Sequence, residues 1–254
     1  MIPASVGFQC PECVREGNAT VRPLRRGSGL RAAGRRWGAV TLTLIAINVA
    51  MFVVTAVSAV LVGSSPLDNQ RSPVFDALSQ WPYGVNLFGE WWRVLTAAFL
   101  HIGPVHLALN MFALLLFGSE LEHRLGRWRY LAIYLISAVG AAAAIQLFGD
   151  PRVPVAGASG AIYGLMGALG VFLLVQRQDM RGLLTLLGIN LVVSFLPGIS
   201  LLGHLGGLVT GALAAGVLVL TRRNRPLQIG ALISLAVVLL VVALTVPTVV
   251  VLGF

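Results

Sequence analysis

The chain has 254 residues, of which 57% are hydrophobic and 11% charged, with a net charge of +9 and a mean hydropathy of +0.88. A soluble domain of this length needs far more polar surface, so the composition excludes one and describes a membrane protein. The positive charge is assigned to topology and to contact with anionic lipid, not to nucleic acid.

Residues 1–37 are polar and Arg-rich, so no signal peptide is read there. They form a cytoplasmic segment holding Cys10-Pro-Glu-Cys13 and a Gly/Arg-rich linker over about 21–37. A structural disulfide is not expected between cysteines in a cytoplasmic segment. One Cys-x-x-Cys supplies two of the four ligands that structural zinc wants, and no His precedes His101 to complete such a set.

Seven apolar runs follow, at about 38–62, 104–118, 130–148, 159–175, 182–197, 201–220 and 229–252. Crossing a bilayer core of roughly 30 Å takes about 20 helical residues, so each run is read as a membrane span, the second and fifth being short. Between the first two lies a long segment, 63–103, with Trp81, Trp91, Trp92 and Arg93. Loops of this length are usually functional, and Trp clusters favour the membrane interface. All 18 basic residues are Arg, and only Arg71, Arg93 and Arg152 fall on one side of the alternating spans. The positive-inside rule then predicts a cytoplasmic N-terminus and an external C-terminus.

That orientation makes spans two, four and six enter from outside. His106 and Asn110 lie in the first turns of span two, Ser159 opens span four within Gly157-Ala158-Ser159-Gly160, and His204 lies near the start of span six. All four therefore belong to the outer leaflet. His106 and Asn110 are i and i+4 and share a helix face, as do Ser159 and Tyr163. Gly160, Gly164 and Gly167 face Gly203, Gly207 and Gly211 as small-residue stripes, which allow two helices to approach closely in lipid. Intramembrane polar groups point to function. A serine becomes a strong nucleophile when a neighbouring base takes its proton, and His204 is the candidate base. His106 and Asn110 are candidate donors to an oxyanion, aided by the positive end of the helix dipole at Ser159. No Asp or Glu falls within these runs, so a Ser-His dyad is expected instead of a triad.

Rival readings are a transporter or channel, which should show inverted repeats or paired broken helices at mid-membrane, neither of which is seen in the sequence, and a noncatalytic membrane protein that binds transmembrane clients. A zinc intramembrane protease is disfavoured, because the sequence has no His-Glu-x-x-His.

The pattern His101, His106 to Asn110, Gly157 to Gly160 and His204 to Gly211 resembles the rhomboid family of intramembrane serine proteases over about 88–216. Trp92-Arg93 is similar to that family's first-loop motif, and Glu120-Leu-Glu122 with Leu125-Gly126 to its turn between the second and third spans. The resemblance implies an all-α polytopic fold, with a six-span core over 38–220, and a seventh helix within 221–254 as in six-plus-one members. It implies Ser159 as nucleophile and His204 as base. It further implies His106, Asn110 and the Ser159 amide as oxyanion donors, with Tyr163 packed beside His204. His101, Gly157, Gly207 and Gly211 are read as supporting residues. Gly203 stands where the family often has Ala. The expected substrates are transmembrane proteins cut in or next to their spans, with no cofactor needed for catalysis. The run around Cys10 and Cys13 resembles the tail of small zinc-binding modules found on some members.

Overall fold

A computed structural model of the chain describes residues 2–3, 7–20, 29–195 and 198–245. Apart from a two-residue antiparallel ladder, Ile2–Pro3 against Phe8–Gln9, the named elements are helical. Helices Pro11–Thr20 and Gly29–Trp37 precede the apolar part.

Five helices are long and apolar enough to cross a membrane: Ala39–Leu61 (span one), Gly103–Leu125 (span two), Arg127–Phe148 (span three), Leu201–Leu220 (span six) and Arg225–Thr245 (span seven). Two shorter apolar helices, Ser159–Val175 (span four) and Arg181–Val193 (span five), lie between spans three and six. Span four has 17 residues and span five 13, about 26 Å and about 20 Å at 1.5 Å per residue. Both fall short of a core of about 30 Å. The fifth run was expected over 182–197; the helix ends at Val193, and 196–197 lie outside the described residues. The expected seventh run also extends past Thr245 into residues outside the described set.

Burial separates the helices by role. Span three has 61% of its most apolar window buried, span one 22% and span seven 17%, although span one and span seven are the more hydrophobic. Apolar surface left uncovered by protein is what a lipid-facing helix presents. Span three is interior, and Tyr130, Ile133 and Tyr134 on it are wholly buried. Span seven packs on span three outside the six-helix body, tied by Arg129 Nε donating to Gln228 Oε1 at 3.0 Å.

Span two runs seven residues beyond the expected end at 118, through a π-helical turn at Leu114–Gly118. The extension carries Glu122 into the protein, where it is 6% exposed. Its carboxylate accepts from the amides of Val40 at 3.0 Å and Thr41 at 2.8 Å, and from the Thr41 hydroxyl at 2.9 Å. A carboxylate there answers orphan amides at the positive end of span one. Gly38, with φ 82, leaves room for it, since a Cβ would collide with the carboxylate.

Spans four and six cross at backbone contact. A Cβ on Gly207 would overlap the Gly160 carbonyl, one on Gly211 the Gly164 carbonyl, and one on Gly167 the Leu208 carbonyl. Close approach in an apolar medium gains dispersion contacts that larger side chains would forbid. This crossing fixes the relative position of the two helices that carry Ser159 and His204.

The segment between spans one and two is built around Arg93, which is 4% exposed. Its guanidinium binds Glu90 at 2.7 Å, the Ser79 carbonyl at 2.9 Å and the Asp76 carbonyl, and lies 5.9 Å from the Trp81 ring centre. Trp92 Nε1 donates to the Ala77 carbonyl at 3.0 Å. The segment is laced to the approach to Ser159 by paired bonds between Gln80 and Val155, each 2.8 Å, and by Gly157 N donating to Ala97 O at 3.0 Å.

Candidate active site

Ser159 is the first residue of span four, and His204 lies in the first turn of span six. Ser200 opens span six as its N-cap, its hydroxyl accepting from Gly203 N at 3.1 Å. The glycine crossing brings His204 Nε2 to 2.8 Å from Ser159 Oγ. Tyr163, one turn below Ser159, lies flat on the imidazole with ring centres 4.1 Å apart and planes 10° apart. The tyrosine ring thus restricts rotation of His204.

His106 takes up the other side. Its Nδ1 accepts from Ile102 N at 3.2 Å. A neutral imidazole with one accepting nitrogen carries its proton on the other, so His106 Nε2 is a donor. That edge of the ring lies against Gly157, where an added Cβ would stand 3.0 Å from Cε1 and 3.1 Å from Nε2. Gly157 has φ 147, a backbone conformation that a side chain would strain, and a Cβ there would also crowd the His106 ring. Asn110, 7% exposed, donates one amide proton to the His106 carbonyl at 2.9 Å and retains a second. Ser159, His106, Asn110 and His204 all line one cavity of about 520 Å³, whose remaining walls are mostly apolar, among them Val94, Ile145 and Met166.

His101 is wholly buried, with its ring edge-on to His106 at 5.2 Å and neither nitrogen hydrogen-bonded among the described residues. Its carbonyl accepts from Asn69 Nδ2 at 2.7 Å, and Asn69 also reaches Thr55 and Gly103. His101 therefore holds the approach to span two and packs against His106. Gly207 and Gly211 lie on the helix crossing, where an added Cβ would meet the Gly160 and Gly164 carbonyls.

Ser194 was not among the residues singled out from sequence. It is 2% exposed at the end of span five, with its hydroxyl 2.7 Å from His204 Nδ1. The available signal was a hydroxyl near the end of an apolar run, ten residues before His204. No acidic group hydrogen-bonds His204 among the described residues.

Cys10 and Cys13 are exposed and unbridged. Among the described residues no cluster of three or more His, Cys, Asp or Glu side chains surrounds a common point. Backbone amides of Cys13 and Glu12, at the start of the first helix, hold the Cys10 thiol below its ordinary value.

A helical body of several apolar spans, holding a largely apolar cavity in which serine and histidine are in contact, defines a multi-pass membrane protein with the groups of a serine hydrolase. Comparison with known proteins agrees. Residues 88–222 match the family described as Rhomboid domain. The chain is 42% identical over 129 residues to RHOMBOID-like protein 6, mitochondrial, of Arabidopsis thaliana, covering 48% of this chain and 42% of that protein. It is 40% identical over 162 residues to Rhomboid protease GluP of Bacillus subtilis, covering 59% and 31%. It is 30% identical over 204 residues to Rhomboid protease AarA of Providencia stuartii, covering 69% and 70%. The chain belongs to the rhomboid family. The matched part spans less than half the length of the first two relatives.

Proposed function

We propose that the chain is an intramembrane serine endopeptidase that hydrolyses peptide bonds in or next to transmembrane segments of membrane-protein substrates. The observation that carries this reading is the 2.8 Å contact between Ser159 Oγ and His204 Nε2 inside a cavity lined by hydrogen-bond donors. Two relatives that bear the name rhomboid protease support it.

In the first step Ser159 Oγ bonds to the scissile carbonyl carbon while its proton passes to His204 Nε2. Charge collects on the former carbonyl oxygen. His106 Nε2–H, the second amide proton of Asn110 and the start of span four are the donors that would receive it. Collapse breaks the C–N bond, and the proton on Nε2 goes to the leaving amine. Water then attacks the ester carbon as His204 Nε2 takes its proton; the C–Oγ bond breaks, the carboxylic product leaves, and the proton passes from Nε2 to Ser159 Oγ. The steps draw on side chains, the backbone at the start of span four and water, and call for no cofactor.

The orientation follows from the arginines, of which only Arg71, Arg93 and Arg152 lie on the side of the site. The reading places the N-terminus in the cytoplasm, the C-terminus outside and the protein in the cell membrane. Zinc on Cys10 and Cys13 would need two ligands from elsewhere, and zinc content of purified protein against a Cys13→Ser variant tests it.

The deciding experiment incubates purified, detergent-solubilised protein with a model transmembrane substrate beside a Ser159→Ala control. Cleavage lost only in the control supports the protease. Binding of the substrate without cleavage by either protein points to a noncatalytic client-binding relative.

A further inference from the structure

Three polar atoms surround the Ser194 hydroxyl oxygen: the Asn190 carbonyl at 2.8 Å, the Tyr163 hydroxyl at 3.0 Å and His204 Nδ1 at 2.7 Å. A serine hydroxyl has one proton and two lone pairs. The carbonyl can only accept, so the single Ser194 proton is engaged there. The other two neighbours must then donate, Tyr163 through its O–H and His204 through Nδ1–H. Each proton is used once, and each of the two lone pairs has one donor.

This assignment reaches the reacting atoms. With the proton on Nδ1, neutral His204 presents a bare lone pair at Nε2, 2.8 Å from Ser159 Oγ. The other tautomer would place N–H on Nε2, which could not accept, and would set the Nδ1 lone pair against a Ser194 oxygen whose proton is already committed. We propose that Ser194 is a positioning residue, a neutral acceptor that selects the Nδ1–H tautomer of His204 and so leaves Nε2 free to act as base. The proposal rests on the protease reading.

The proton balance is simple. As the Ser159 Oγ–carbon bond forms, the Ser159 O–H bond breaks and that proton moves to Nε2. The proton on Nδ1 stays where it is, bonded to Ser194, while His204 is positively charged. Where a buried carboxylate orients the histidine of a serine protease, it also stabilises that charge. Ser194 supplies the orientation with a neutral group, and its hydroxyl is held in turn from span four by Tyr163 and from span five by Asn190.

The test compares wild type with Ser194→Ala, Ser194→Thr and Tyr163→Phe in three measurements: kcat and KM on a model transmembrane substrate, the rate of fluorophosphonate labelling of Ser159, and ring-nitrogen NMR shifts of ¹⁵N-histidine protein, which has four histidines. A lost neutral hydrogen bond of about 1.4 kcal/mol corresponds to about tenfold. Ser194→Ala should therefore lower kcat and labelling about tenfold with KM unchanged. Its His204 nitrogens should move from the Nδ1–H pattern to a tautomer mixture. Ser194→Thr and Tyr163→Phe both keep the acceptor and should keep the Nδ1–H pattern. Wild-type kcat and unchanged shifts in Ser194→Ala overturn the proposal. So does a tautomer mixture of equal extent in Tyr163→Phe, because the acceptor at 194 is then not what selects the proton. If wild type cleaves nothing, the protease reading falls. The nitrogen shifts then decide the role of Ser194 alone, Nδ1–H lost in Ser194→Ala upholding it and an unchanged pattern overturning it.

Discussion

Tyr163 and His204 are stacked almost in parallel, 4.1 Å between ring centres, although they come from different helices. The stack exists because Gly160, Gly164, Gly207 and Gly211 let spans four and six touch along their backbones. An imidazole held flat in this way reaches Ser159 in one orientation. Replacing Tyr163 with Ala should free the ring and slow fluorophosphonate labelling of Ser159 by about 10²-fold, the order expected when a reacting group is misplaced by about 1 Å. Tyr163→Phe keeps the face and should lose much less. Equal losses in the two variants would show that the hydroxyl, not the stack, is what matters.

Removing an oxyanion donor should act on turnover more than on binding. Loss of one such donor in a serine protease costs about 10²–10³ in kcat. Smaller single losses are expected here for His106→Ala or Asn110→Ala, because several donors share the cavity, and a larger one for the double variant. Steady-state kinetics that show full activity in the double variant would return both residues to a purely structural role.

Gly207→Val should lower thermal stability and activity together. The added side chain would occupy the space of the Gly160 carbonyl, so the helices must part and His204 must move with them. Thermal melts in detergent and cleavage rates check this. A fully stable and fully active variant would contradict the contact between spans four and six.

Glu122→Ala should destabilise the protein without touching the site chemistry. It removes the acceptor of three hydrogen bonds at the start of span one. Hydrogen bonds to charged groups contribute about 1.5–3 kcal/mol each, and the loss leaves amides without a partner. A drop of about 3 kcal/mol would lower the melting midpoint by about 6–12 °C. An unchanged midpoint would mean that water replaces the carboxylate at no cost.

Cleavage is expected at the external end of a substrate's transmembrane segment. Span four is shorter than the membrane core, which places its first residue, Ser159, below the surface on the side poor in arginine. Mass spectrometry of the two fragments locates the cut, and sites clustered at the cytoplasmic end would reverse the orientation.

The sequence by itself determined the class and most of the helical layout, because about 20 apolar residues in a row have few alternatives to a span and helix spacing assigns faces. It also put Ser159, His204, His106 and Asn110 at corresponding ends of three helices, since the alternation of spans is a counting argument. What it left undecided were relations between helices. Glu122 reads in the sequence only as part of the turn between the second and third spans, and only packing shows it inside the protein, accepting from Val40 and Thr41. Ser194 looked like one hydroxyl among many apolar residues. Its place beside His204 depends on where span five stops and on how it leans against span four, and no local pattern encodes either. Hydrophobic periodicity reports burial along one helix. The proton on His204 is decided by the Ser194 hydroxyl, which Asn190 holds from within span five and Tyr163 from span four, and spans four, five and six meet only after the chain has folded.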